Sequence, residues 1–132
     1  GKGVIGVPIT AAHDSSEECV NYVLSANGRS LLIGHDTGWY EEPTWMYLSG
    51  QSLNVVLFDC TYGPNDYPRG HLGCSGVVRA RDELARRGAL ASDARVIATH
   101  FSHNGGWLHE DLEKFFEPHC IEVAFDGMKL TV

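Results

Sequence analysis

The fold of this chain is decided by residues 53–58, LNVVLF, which end at Asp59. Nearly every side chain in this stretch is apolar, and such a strand is typical of a sheet interior that is covered on both faces. Residues 96–98, VIA, repeat the pattern before Thr99 and His100. We therefore predict a buried sheet with polar residues where its central strands end.

The chain before this stretch predicts a strand, a hairpin and a short helix. Residues 4–9 form a β-branched run. Residues 19–24 and 30–33 flank turn residues 26–29 and predict a hairpin. A helix over 43–48 begins at a proline, which is tolerated in the first turn.

The chain after it predicts a loop, two helices and a final hairpin. The loop covers 61–70, and a helix over 72–87 is closed by Gly88. Asp82 with Arg86 and Glu83 with Arg87 are expected to pair on that helix. A second helix over 107–117 places Leu108, Leu112, Phe115 and Phe116 inward and ends before Pro118.

Asp126-Gly127 between 121–125 and 128–132 is a strong hairpin signal. With a strand over 95–98, these elements predict an α/β fold: a mixed sheet with helices on one face. The other face also needs cover, because the central strands are apolar on both sides.

Composition excludes several classes of partner. Seventeen acidic against ten basic residues give a formal charge of -7, which disfavours nucleic acid. No apolar stretch is long enough to span a membrane and no signal pattern opens the sequence, so a cytoplasmic protein is expected. The four cysteines are widely spaced and are expected to be reduced; Cys60 and Cys74 fit burial better than zinc ligation.

Histidine and aspartate recur where predicted strands end: His13, His35-Asp36, Asp59 and His100. Strand ends gather at one edge of an α/β sheet, where binding clefts form. Imidazole nitrogens and carboxylate oxygens together bind zinc, manganese or iron. The sequence therefore predicts a metal site at this edge.

Five short motifs follow one another along the chain: Gly34-His35-Asp36-Thr37-Gly38, Phe58-Asp59-Cys60-Thr61, Gly70-His71-Leu72-Gly73, Thr99-His100-Phe101-Ser102-His103 and Ala124-Phe125-Asp126-Gly127-Met128. In this order, they resemble the C-terminal motifs of metallo-β-lactamase-fold hydrolases. The likeness covers nearly the whole chain and is greatest to the phosphodiesterases that act on cyclic phosphates in phosphonate breakdown.

This resemblance implies that residues 1–132 are a single half-domain, the C-terminal half of a four-layer αββα sandwich. The family's His-x-His-x-Asp-His motif occurs nowhere in the sequence and is expected in an N-terminal half upstream. The inner sheet face would then be bare. It would associate with a separate N-terminal half or with a second copy of the chain.

The resemblance also implies roles at a two-metal site that holds zinc or manganese. His13 would ligate the first ion, Asp36 would bridge both, and His100 would ligate the second. His71 would act as the catalytic proton donor or contact phosphate. Asp59 and His103 are expected to orient the ligands.

The function implied is a metal-dependent hydrolase, a phosphodiesterase in which metal-activated water attacks phosphorus. The chain alone would supply only part of the site and bind metal weakly. Other chemistries of the family, such as thioester or lactone hydrolysis, stay open, as do two further alternatives. One is a transfer-RNA 3′-processing endonuclease, which Thr99-His100-Phe101-Ser102 also resembles. The other is a non-catalytic half-domain that binds a partner through its sheet face.

Overall fold

The chain folds around one six-stranded mixed sheet, as the computed structural model of residues 3–67 and 69–132 shows. Its strands lie side by side in the order of the sequence, β1 to β6. β1, β2 and β3 pair antiparallel, whereas β3 to β6 pair parallel. β1, β3, β4 and β5 therefore run in one direction and end at the same edge. The strands are β1 Ile5–Thr10, β2 Val20–Ala26, β3 Arg29–Gly34, β4 Leu53–Asp59, β5 Leu90–Thr99 and β6 Glu122–Val123.

Three helices cover one face of this sheet: α1 Glu42–Ser49, α2 Cys74–Arg86 and α3 His109–Phe116. They pack onto alternate residues of the strands, because side chains one position apart point to opposite faces. The shared core joins strand residues to helix residues, among them Leu32, Val56, Phe58, Val96 and Ala98 with Trp45, Leu48, Val77, Leu84, Leu112 and Phe116. This mixed sheet with helices on one face confirms the predicted fold class.

The opposite face of the sheet is apolar and only partly covered. Val20 and Tyr22 on β2 are 40% and 44% exposed. Their neighbours on the same face, Leu31, Ile33 and Leu57, are half-buried. Val55 and Ile97, deeper in the sheet, are fully buried.

Two details of the predicted helices were wrong. Leu108 was expected to point inward, but it precedes α3 and is 73% exposed, because that helix begins only at His109. Arg86 bonds to Glu83 rather than to Asp82. The other predicted pair is confirmed, since Arg87 Nε lies 2.7 Å from Glu83 Oε1.

The predicted final hairpin was also wrong. A turn forms at Asp126-Gly127, with Met128 N donating to Phe125 O at 3.0 Å. No strand follows it within the residues described; β6 has two residues and pairs parallel with β5 instead. The predicted loop over 61–70 is observed, except that Pro68 lies outside the described residues. None of the helices so described is long and apolar enough to cross a membrane.

Candidate metal centre

The strand directions bring the predicted polar residues to one edge. His13 follows β1, Asp36 follows β3, Asp59 ends β4, and His100 follows β5. His71 reaches the same edge from the loop between β4 and α2. The parallel pairing of β3, β4 and β5 therefore gathers residues that are far apart in the sequence.

Four of these residues form a compact donor cluster. One ligand atom from each of Asp36, Asp59, His71 and His100 lies within 4.8 Å of all the others. The Asp59 side chain is fully buried, whereas that of Asp36 is 57% exposed. Asp59 therefore lies at the buried side of the cluster, and Asp36 lies at its solvent-exposed side.

The buried Asp59 carboxylate is held by three donors. Its Oδ2 accepts from Nδ1 of His71 at 2.7 Å and from the backbone N of Thr37 at 3.3 Å, and its Oδ1 accepts from the backbone N of Thr61 at 2.8 Å. Both oxygens are thus already engaged. Asp59 is nevertheless one of the four clustered donors, so its expected role in orienting the ligands stays a prediction.

His71 and His13 are each held through Nδ1. The acceptor for His71 is Asp59, and the acceptor for His13 is the carbonyl oxygen of Gly70, at 2.9 Å. Because these oxygens only accept, Nδ1 carries the proton in each ring, and Nε2 of the neutral imidazole keeps its lone pair. The two rings lie 4.9 Å apart, although His13 is outside the four-residue cluster.

Asp36 and His100 bring two potential metal-ligand atoms close together. Oδ1 of Asp36 lies 3.4 Å from Nε2 of His100. Zinc bonds nitrogen and carboxylate oxygen at about 2.1 Å, so two ligands at a tetrahedral angle lie about 3.4 Å apart. The spacing and chemistry of this pair therefore fit a zinc-sized cation.

Both members of this pair have an unusual backbone. Asp36 has a φ of 49° and His100 a φ of 59°, in the left-handed region that non-glycine residues seldom adopt. Such conformations cost about 1–3 kcal/mol and gather at functional sites. Here they turn the side chains after β3 and β5 toward one another.

His35 lies behind the cluster and is half-buried. Its ring centroid is 5.5 Å from that of His100. Its buried Nε2 has no hydrogen-bond partner within the described chain. Burial, followed by the neighbouring His100, lowers the pKa of His35, so the ring favours its neutral form.

The structure does not bring every predicted residue into the site. His103 is exposed in a short 3-10 helix, His103–Gly105, and is not among the four clustered donors. Conversely, sequence reasoning gave no role to Thr37 and Thr61, which contact Asp59 or His100. The sequence offered one signal for them: Thr37 directly follows Asp36, and Thr61 lies two residues after Asp59.

An open cavity of about 690 Å³ adjoins the cluster. His13 and Gly70 form the wall shared with the site. The cavity is also lined by Trp39, Glu41 and Arg69. This space is large enough for a small substrate.

No family model and no curated protein matched this chain. Solved structures did match, at low sequence identity. The metallo-β-lactamase fold protein YhfI from Bacillus subtilis is 13% identical with a TM-score of 0.65, covering 95% of this chain and 48% of that one. Isothiocyanate hydrolase from Delia radicum gut bacteria is 14% identical with a TM-score of 0.68, covering 98% and 53%.

Zn(2+)-bound PqqB from Methylobacterium extorquens is 19% identical with a TM-score of 0.64, covering 98% of this chain and 50% of that one. The chain thus spans about half the length of the solved structures it matches. Over that length, it has the metallo-β-lactamase fold.

Proposed function

We propose that this chain belongs to a metal-dependent hydrolase, a phosphodiesterase, and supplies part of its two-metal site. The observation that carries the proposal is the convergence of Asp36 Oδ1 and His100 Nε2, 3.4 Å apart, at the strand ends. The metallo-β-lactamase fold supports it, because structural neighbours with that fold include an isothiocyanate hydrolase and a zinc-bound protein.

In this proposal, Asp36 and His100 hold one ion, which is zinc or manganese. The exposed carboxylate of Asp36 and the imidazole of His13 would help to hold a second ion. Paired divalent ions supply Lewis acidity and lower the pKa of a bound water to near neutrality. The chain contributes by holding the ligand atoms of Asp36, His100 and His13 in place.

His71 is the proposed proton carrier. Its Nδ1 is fixed by Asp59, so Nε2 would be placed to take up the proton that the attacking water gives up and to pass it to the leaving oxygen. The same arrangement holds the ring in one orientation, which favours proton transfer along one direction.

A phosphodiester fits this site because its anionic oxygens are ligands for paired cations. Nucleic acid is a poorer fit, because the chain's overall charge of -7 gives no general attraction for a polyanion. The cavity beside His13 offers space for the ester groups of a small substrate. We therefore favour a small phosphodiester over transfer RNA.

Metal titration of the purified chain tests the proposal. Zinc or manganese should bind the wild-type chain weakly, because the chain holds only part of the site, and Asp36→Ala should reduce the bound metal further. In the complete enzyme, Asp36→Ala should abolish hydrolysis of bis(4-nitrophenyl) phosphate. Asp126→Ala, at an exposed turn, is the matched control and should leave both unchanged. Metal binding that survives Asp36→Ala would overturn the assignment.

We also propose that a second layer covers the apolar sheet face. The exposed and half-buried side chains of Val20, Tyr22, Leu31, Ile33 and Leu57 support this, since contiguous apolar surface favours association. The layer would come from a separate N-terminal half or from a second copy. A non-catalytic binding module would bind its partner through this face equally well with a chelator present. Partner binding measured with and without chelator therefore distinguishes such a module from the enzyme.

A further inference from the structure

Thr61 makes two contacts to a single residue, His100. Its hydroxyl oxygen lies 2.9 Å from the carbonyl oxygen of His100 and 2.8 Å from Nδ1 of the same residue's ring. The hydroxyl has one proton and can donate only once, but it can accept as well. These two distances therefore restrict where the protons lie.

The carbonyl oxygen of His100 can only accept, so Thr61 must donate its proton there. The hydroxyl oxygen then accepts from Nδ1 of His100, which must carry the ring proton. The reverse arrangement, in which the hydroxyl donates to Nδ1, would leave two oxygens facing each other at 2.9 Å with no proton between them. Only the first arrangement satisfies both contacts.

We propose that Thr61 is a positioning residue that fixes the tautomer of His100, so that Nε2 keeps its lone pair toward Asp36. The inference rests on the proposed function only in identifying a metal ion as the species that uses this lone pair. Without the hydroxyl, the ring could protonate at Nε2 and present a donor, instead of a ligand, at 3.4 Å from the Asp36 carboxylate.

The position of Thr61 is fixed by the sheet. Its backbone N donates to Oδ1 of Asp59 at 2.8 Å, and the preceding Cys60 N donates to Thr99 O at 2.8 Å, next to His100. The ends of β4 and β5 are thereby locked in register. Asp59 Oδ2 is the other acceptor near Nδ1 of His100, but at 3.7 Å it is beyond hydrogen-bonding distance.

Histidine NMR of the chelator-treated chain tests the proposal, with long-range nitrogen–proton correlations recorded at about pH 8, where an unperturbed imidazole is neutral. Wild type and Thr61→Ser, which keeps the hydroxyl, should show His100 protonated at Nδ1. Thr61→Val should show a large gain in the form protonated at Nε2. Zinc alone should bind Thr61→Val about 10–100-fold more weakly than wild type, whereas Thr61→Ser restores the affinity.

Thr131→Val, at an exposed position outside the site, is the matched control and should change neither readout. Wild-type His100 protonated at Nε2, or an unchanged tautomer in Thr61→Val, would overturn the role of Thr61. A wild-type spectrum with His100 protonated at Nε2 overturns the proposal even where Thr61→Val does not fold. Failure of the proposed function looks different: the tautomer is as expected in wild type, yet zinc does not bind.

Discussion

Asp59 shows how one buried residue organises the site. Its carboxylate accepts hydrogen bonds from Thr37 N, Thr61 N and His71 Nδ1 while being fully removed from solvent. A buried charged group is tolerated only when its oxygens are satisfied in this way. The polar interactions that orient His71 therefore also support the folded state.

We expect Asp59→Asn to destabilise the chain by about 1–3 kcal/mol, because the amide group replaces an acceptor with a donor and leaves buried donors without partners. Denaturation by guanidinium, followed by tryptophan fluorescence, measures the change in the free energy of unfolding. Asp126→Asn, at an exposed turn, should have little effect. Equal stability of the two variants would contradict the structural role of Asp59.

Single residues also mark the limit of sequence reasoning. The strand-end pattern located Asp36, Asp59 and His100, because parallel strands end at one edge. It could not show the left-handed backbone of Asp36 and His100, which depends on tertiary contacts. For the same reason, it could not foresee that Thr61 would meet the ring of His100, 39 residues away.

At the scale of elements, α2 is joined to the site through its first turn. Gly73 precedes the helix with an ordinary φ of -105°. A Cβ added there would overlap the backbone oxygen of Asn65 and lie 2.9 Å from that of Gly63. Cys74 N also donates to Gly63 O at 2.7 Å. The loop that carries His71 is therefore packed against the helix start, where only glycine fits.

We expect Gly73→Ala to cost about 1–3 kcal/mol of stability, because backbone atoms cannot yield as a flexible side chain would. The same variant should displace His71 and weaken zinc binding. Chemical denaturation and zinc titration measure the two effects. Gly50→Ala is the control, since its added Cβ would have an ordinary contact of 3.6 Å with Tyr47 O. Wild-type stability in Gly73→Ala would show that this loop can shift freely.

A second set of contacts ties α2 to α1. Arg87 bonds to Glu83 on α2 and to Glu42 on α1, at 2.7 and 2.9 Å. Hydrogen bonds from Arg86 and Arg87 lower the pKa of Glu83 from 4.5 to about 2. A carboxyl whose pKa falls on folding stabilises the native state fully above its unfolded value and loses that contribution as the pH falls through the folded value.

Glu83→Gln should therefore lower the melting temperature at pH 6, and its difference from wild type should shrink between pH 4.5 and about 2. Thermal unfolding by circular dichroism across this range provides the measurement. Glu18→Gln, on an exposed loop, serves as the control. A difference that stayed constant with pH would mean that the Glu83 charge contributes nothing.

The prediction of α2 was more accurate than that of the final hairpin, for a physical reason. α2 was predicted within two residues of its start because local spacing and Gly88 define it. The Asp126-Gly127 turn also formed, but a turn signal does not provide a partner strand. The residues beyond it therefore did not pair, although their sequence suggested a strand.

At the scale of the whole molecule, the sheet has two unequal faces. The helix side contains a closed core that includes Trp45, Phe58 and Phe116, all nearly or fully buried. The other side presents Val20 and Tyr22 to solvent. The sequence predicted this asymmetry through strands that are apolar on both sides, yet it could not say what lies against the second face, because a covering layer makes no local pattern.

If the open face drives association, the purified chain should form dimers at micromolar concentration, and Tyr22→Lys with Leu31→Lys should shift it toward monomer. Both residues point to this face, and burying a lysine charge there would oppose contact between two copies. Sedimentation velocity over a concentration series measures the effect. The control is Met46→Lys on α1, where Met46 is 67% exposed away from the sheet face. A wild-type chain that stays monomeric throughout the series would exclude self-association and favour a different polypeptide segment as the covering layer, whereas dimers that survive the double substitution would place the interface elsewhere.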